Sequence, residues 1–328
     1  MSKRNILIGG MTAVAAVALS ACGGSNAGAE GDAFPSKDVK MIVTYAAGGP
    51  TDVAGRAIAA FMEKDLGQTF VVENKDGASG AVGTADVVRS KPDGHTIGMT
   101  TESAAARVPI VQKVGYTHED VAPIGVATYG PGLVLVNADS PYKTIDDLVA
   151  AAKAKPGSIK LGTAGASSPQ HLELLRLKKD YSVDIQPIPF KGEAPAVTAV
   201  LGNNVQGCFC SNAQTTMAQV DSGKFRVLAV GTPERIPSMK DVPTLKESGY
   251  PELVYGNSYF ILVAPKGTPA ETVSILEGSL QKALKDEATR NVIGDVRILP
   301  EFMGGDELKK MMAEEQKSLA PSLKELLG

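Results

Sequence analysis

Two short stretches hold the residues best suited to chemistry, and that chemistry is the holding of an anion. Gly48-Gly49-Pro50-Thr51-Asp52 and Gly165-Ala166-Ser167-Ser168 each follow a short apolar run and open a helical pattern. Glycine lets a ligand come close to the backbone. The first N–H groups of a helix lack intrahelical partners, and the positive end of its dipole faces the same way. An anion between two such turns is met by peptide dipoles and hydroxyls, with no arginine required. Thr51 or Asp52 is expected to cap the first helix, and Ser167 or Ser168 the second, with Pro169 in its first turn. Asp52 has a second open role: accepting from a ligand's amine or hydroxyl, or holding a water.

Other chemistries lack their patterns. There is no G-x-G-x-x-G and no Gly-Lys-Ser/Thr, so no nucleotide loop is expected. Ser103, Ser167 and His171 have no G-x-S-x-G elbow and no evident serine–aspartate arrangement, which argues against a hydrolase. His95, His118 and His171 are scattered without metal-ligand spacing, so neither a metal nor a cofactor is expected. His171, one turn into its helix, is expected to pack rather than bind. Lys191 is expected at a cleft rim and Asn74 to close its own loop. Cys208 and Cys210 point to one face of a strand. Closing so tight a ring would be strained, so two buried thiols are expected.

These residues need a scaffold, and the chain supplies an alternating one. Residues 41–45 read as a strand. Val53, Ala57, Ile58 and Phe61 then recur at helical spacing. Strands follow at 69–72 and 96–100, the latter ending at Thr101-Glu102-Ser103. This βαβαβ rhythm implies a parallel sheet with its loops gathered at the strand C-termini. Strands at 121–127 and 133–137 flank Tyr129-Gly130-Pro131-Gly132, where the chain is expected to cross into a second lobe. There, helices are expected at 148–154, from Pro169 onward and at 194–201 among strands at 160–163 and 185–190, and strands at 205–210 and 227–230 complete the sheet. Thr163-Ala164 ends one strand and Lys191-Gly192 follows another. A strand at 259–264 is the expected return, and helices at 270–285, 288–293 and 305–327 finish the chain. Leu308, Met311, Met312 and Leu319 lie on one face of the last.

The 328 residues carry a formal charge of −3 and no basic stripe, so no nucleic-acid partner is expected. Lys3 and Arg4, an apolar stretch at 6–19, and Leu19-Ser20-Ala21-Cys22 read as a bacterial lipoprotein signal, with cleavage before Cys22 and a lipid on its sulfur. The expected division is a signal over 1–21, a tether over 22–33, one lobe from 34–129 plus 258–328, and another from 130–257.

Six motifs in order resemble one family, the substrate-binding (Bug) proteins of tripartite tricarboxylate transporters. They are Gly48-Gly49-x-x-Asp52 with Arg56, Val72-Glu73-Asn74-Lys75-x-Gly77-Ala78, Pro92-Asp93-Gly94-x-Thr96, Gly165-x-Ser167-x-x-x-His171, Phe190-Lys191-Gly192, and Ala264-Pro265-x-Gly267-Thr268-Pro269. The resemblance implies a two-lobed α/β fold of the type II periplasmic-binding kind. It implies capture of a small carboxylate by lobe closure, with partly water-mediated contacts, and delivery to a permease of one large and one small subunit. It places Gly48, Gly49 and Asp52 in the first binding loop, Ser167 and Ser168 in the facing loop, and Lys191-Gly192 at the cleft edge. With the strand-end residues, the expected ligand set is Gly48, Gly49, Thr51, Asp52, Ser103, Thr163, Ala164, Ser167, Ser168, Lys191 and Gly192. Phe190, Gln206, Cys208-Phe209-Cys210 and Tyr259 depart from the family's usual residues and bear on which ligand is bound. The expected protein is an extracytoplasmic, membrane-anchored monomer. The alternatives are the same fold feeding a sensor kinase and a secreted serine hydrolase.

Overall fold

Apolar runs such as Met41-Ile42-Val43 and Phe260-Ile261-Leu262-Val263 are nearly continuous because helices cover both faces of their sheet. Met41, Val43, Phe260 and Leu262 pack with Ile58, Met62, Leu276 and Leu280 on one face. Ile42, Ile261 and Val263 pack with Val87, Leu308 and Met312 on the other. A computed structural model describes residues 34–190, 192–254 and 256–327. The signal and tether expected over 1–33, Cys22 included, lie outside these residues, as do Lys191 and the side chain of Leu319.

The elements run β1 (Val39–Val43), α1 (Pro50–Leu66), β2 (Phe70–Asn74), α2 (Ala81–Val88), β3 (Thr96–Thr101), α3 (Val108–Val111), β4 (Val121–Gly130) and β5 (Gly132–Asn137). They continue as α4 (Ile145–Ala154), β6 (Ile159–Thr163), α5 (Pro169–Tyr181), β7 (Ile185–Pro189), α6 (Glu193–Leu201), β8 (Gly207–Ser211), α7 (Gln214–Asp221) and β9 (Phe225–Val230). The chain ends with β10 (Ser258–Pro265), α8 (Ala270–Ala283), α9 (Glu287–Ile293) and α10 (Gly305–Leu327).

Two five-stranded mixed sheets result, ordered β2-β1-β3-β10-β4 and β7-β6-β8-β5-β9. This is the two-lobed type II architecture. β1, β2 and β3 are mutually parallel, while β10 runs antiparallel between β3 and β4. β6 is parallel to β7 and β8, and β5 is antiparallel to β8 and β9. Only Pro131 separates β4 from β5, so the expected turn at 129–132 is one residue, with Tyr129 and Gly130 in the strand.

The pairing at this crossing explains why the loops converge. Gly130 lies opposite Ser258 and Phe260 opposite Thr101, at the C-terminal end of β3. One residue on, Gly132 lies opposite Ser211, at the C-terminal end of β8. The C-terminal edges of both sheets therefore meet where the chain passes between them. A Cβ on Gly132 would stand 2.4 Å from the Gly256 carbonyl oxygen, so this close approach of two segments excludes any larger residue.

Two expectations fail here. Cys208 and Cys210 are joined as a disulfide, not held as two free thiols. Their Cα atoms are 5.6 Å apart, within ordinary bridging range, and both side chains face the core beneath α6 and α7. α7 was not anticipated because it buries only Thr216 and shows no apolar period.

Candidate functional site

The first loop, residues 44–49, is built around a clasp. Asp52 sits in the first turn of α1 and is 4% exposed. Its carboxylate accepts from the Gly48 amide (2.9 Å), Arg56 Nε (2.9 Å) and Asn74 Nδ2 (2.9 Å). Arg56 Nη2 donates to Asn74 Oδ1 (2.8 Å), and Asn74 Nδ2 also reaches the Tyr45 carbonyl (3.0 Å). Burial pushes the Asp52 carboxyl up, but the bonds from Arg56, Gly48 and Asn74 outweigh it and hold the group below the usual range. Neither Thr51 nor Asp52 is the cap. Gly49 is the N-cap without a side-chain bond, and Pro50 follows it. Asn74 does not close its own loop; strand pairing places it opposite Val43, beside the first loop, and it ties β2 to that loop.

The clasp changes which amides face outward. The Gly48 N–H is taken by Asp52, and the Gly49 N–H turns toward the Ala46 carbonyl at 3.4 Å. Both glycine amides are therefore engaged within the loop itself. Pro50 has no N–H, so the first-turn donors without intrahelical partners are those of Thr51 and Asp52. Gly48 has φ +79°, which suits glycine, and a Cβ there would meet nothing within 4 Å. Tyr45 braces the loop from below. Its hydroxyl contacts Thr101 Oγ1 (2.8 Å) and the Ser79 carbonyl (3.0 Å), and burial pushes its phenol to about 12.

The second loop, residues 164–168, is also held by its own residues. Ser168 caps α5 by accepting from the His171 amide (3.2 Å), with Pro169 next. Thr163 is fully buried and bonds His171 Nδ1 at 2.9 Å, which occupies its hydroxyl. Burial lowers the His171 pKa and keeps the ring neutral, as suits a packed helix residue. Ala164 and Gly165 are half-buried at the loop's start, and Gly192 precedes α6 with φ +109°.

Ser103 and Ser167 are the predicted residues that touch across the lobes. Ser103 Oγ donates to the Ser167 carbonyl at 3.1 Å, and Gln112 Nε2 donates to Ser167 Oγ at 3.0 Å. Ser103 opens a π-helical turn, Ser103–Arg107, a geometry that recurs at functional positions. Beside it, Arg107 (2% exposed) pairs with Glu102 (3.2 Å) and Glu315 (2.7 Å). Burial raises the Glu102 carboxyl well above its ordinary range, with Glu315 adding to the rise and Arg107 opposing it. A cavity of about 170 Å³ at the crossing is lined by Arg107, Asn257, Tyr259, Glu314 and Glu315. With two carboxylates in its wall it suits an anion poorly.

Sequence reasoning missed Gln112, the Arg107 cluster and a polar group at the far end of β8. Glu193 accepts from Ser211 Oγ and Thr216 Oγ1, each at 2.6 Å. Asn212 Nδ2 reaches the Val296 carbonyl at 3.4 Å, linking the second lobe to the segment after α9. Ser211-Asn212 ends a strand, the same positional signal that singled out Ser103. Residues 296–297 carry no such signal.

Among known proteins, the model of the TctC family, described as the tripartite tricarboxylate transporter family receptor, matches residues 53–327. The chain is 31% identical over 289 residues to Protein BugT of Bordetella pertussis, covering 87% of each. It is similar to MatC from Rhodopseudomonas palustris with bound malate (TM-score 0.76, 27% identity), covering 90% of this chain and 100% of that one. It is equally similar to an R. palustris protein with adipate (TM-score 0.76, 27% identity), covering 90% and 98%.

Proposed function

This chain belongs to the tripartite tricarboxylate transporter receptor family, a family of solute-binding receptors and not of enzymes, and we propose that it is the lipid-anchored, extracytoplasmic member that captures a small organic acid and hands it to a two-subunit permease. The ligand class is a di- or tricarboxylate or a related acid, in keeping with the malate and adipate held by the two similar structures. The lobes of the proposal are 34–129 with 258–328, and 130–257, working as a monomer. Among the described residues, no helix is long and apolar enough to cross a membrane; in this proposal a lipid on Cys22 holds the protein at the membrane.

One observation supports the reading: the C-terminal strand ends of both sheets meet at the crossing between them, and there Ser103, after β3, touches Ser167, before α5. In this proposal the first-turn amides of α1 and the amides of 164–167 receive the carboxylates. Gly48, Gly49, Thr51, Ser103, Ala164, Ser167 and Gly192 surround them. Asp52, Thr163 and Ser168 act from behind by holding the loops, as their filled hydrogen bonds support. Closure traps the acid, and Ser103 and Gln112 on Ser167 latch the closed form.

Titration calorimetry against C4–C6 di- and tricarboxylates, acidic amino acids and aromatic acids tests the reading. A carboxylate is expected to bind with saturable heat; no response to any of these acids refutes it. Cys22→Ser is expected to move the protein from the membrane fraction to the soluble one, and retention refutes the anchor.

A further inference from the structure

Arg297, after α9, is 7% exposed, yet neither its Nε nor its Nη2 has a hydrogen-bond partner among the described residues. A buried guanidinium with two idle donors is costly to maintain, more so than a neutral donor left unpaired. The position is well defined. The guanidinium lies 5.3 Å from the centroid of Phe260, on the sheet face that also packs α1. Glu193 attracts it from the second lobe, but that carboxylate is already engaged by Ser211 and Thr216. Next to it, Asn212 is 3% exposed and its Oδ1 is likewise without a partner, while its Nδ2 reaches Val296. A buried cationic fork and a buried acceptor are therefore both without partners where the end of β8 meets the segment after α9.

Nε and Nη2 form one edge of the planar guanidinium, with parallel N–H bonds spaced to match the two oxygens of a carboxylate. We propose that Arg297 is a specificity-determining residue that takes a second carboxylate of the ligand, so that the protein selects diacids over monoacids, with Asn212 Oδ1 accepting from a hydroxyl or ammonium beside that group. The inference rests on the reading that the gap between the lobes receives a carboxylate. In it, the peptide dipoles of the two turns hold one end of the acid and Arg297 reads the other.

The test is calorimetry with each C4–C6 dicarboxylate and its monoamide, which has the same length but one charge fewer. The wild-type protein is expected to favour the diacid by roughly ten- to hundred-fold, the range for a charge-assisted pair. Arg297→Gln is expected to erase most of that preference by weakening the diacid far more than the monoamide. Arg297→Lys, which keeps the charge but not the fork, is expected to restore part of it. An unchanged preference in Arg297→Gln, or none in the wild type, overturns the inference while leaving carboxylate capture standing. If the wild type binds no carboxylate, both fall. Should the variants fail to fold, arginine-labelled wild-type protein decides: the Arg297 Nε–H resonance moves on adding the diacid, and a stationary resonance overturns the proposal.

Discussion

Removing the Asp52 carboxylate separates a residue that holds the loop from one that touches the ligand. Asp52→Ala takes away acceptors for Gly48 and Asn74, both within 2.9 Å of a nearly buried carboxylate. Bonds to a charged group contribute about 1.5–3 kcal/mol each. The Arg56 arm adds little, because that side chain is 50% exposed and water screens the pair. A net loss of about 3 kcal/mol follows. With an unfolding entropy of roughly 2.1 cal/mol/K per residue over roughly 290 described residues, that loss lowers Tm by about 5 °C. The effect depends on pH with a definite sign. The folded pKa lies below the ordinary 3.8, so the clasp contributes fully above that value and fades as pH falls through the lower one. The Tm difference between wild type and Asp52→Asn is therefore expected to be full at pH 7 and to shrink below pH 3.8. Differential scanning fluorimetry across pH, paired with calorimetry on the same samples, provides the assay. An unchanged Tm with lost binding would refute the reasoning, because it would make Asp52 a ligand contact and not a clasp.

Two further outcomes follow from the cross-lobe contacts. Ser103→Ala removes a bond made only when the lobes are together. Ligand affinity is expected to fall by roughly two- to ten-fold, one neutral hydrogen bond, with Tm of the free protein nearly unchanged; an undiminished affinity by calorimetry shows that the latch carries nothing. Arg107→Met leaves Glu102 and Glu315 buried without their shared cation. Chemical denaturation is expected to show a loss of about 3–5 kcal/mol, and a loss below about 1 kcal/mol contradicts the role assigned to the triad.

Much of the scaffold is legible in local sequence because local rules decide it. Runs such as 41–43 and 260–263 are apolar throughout because both sheet faces are covered. Thr144 and Asp147 form the capping box their spacing announces, and Ser168-Pro169 begins α5 as its types suggest. The site was harder to read because its contacts are not local. Asp52 looks like a cap, yet its partner Asn74 is 22 residues away and reaches it only once β1 and β2 have paired. Ser103 meets Ser167 across 64 residues, and only when the lobes are apposed. Arg297 ends a single 3-10 turn, Asp295–Arg297, too short to show an apolar period, so nothing in its neighbourhood marked it. The cysteine pair was judged by the strain of a small ring, whereas the Cα separation of 5.6 Å permits the bridge.

The position of β10 has a consequence for how the molecule is made. In the first sheet β10 is inserted between β3 and β4, so β4 has no other strand beside it. A chain that folds from its N-terminal end therefore holds β4 without a companion until 258–265 becomes available. The second sheet draws all its strands from 132–230, so it is complete well before then. The interior half of the polypeptide closes first, and the half that contains both ends must wait for it with an open seam of apolar backbone.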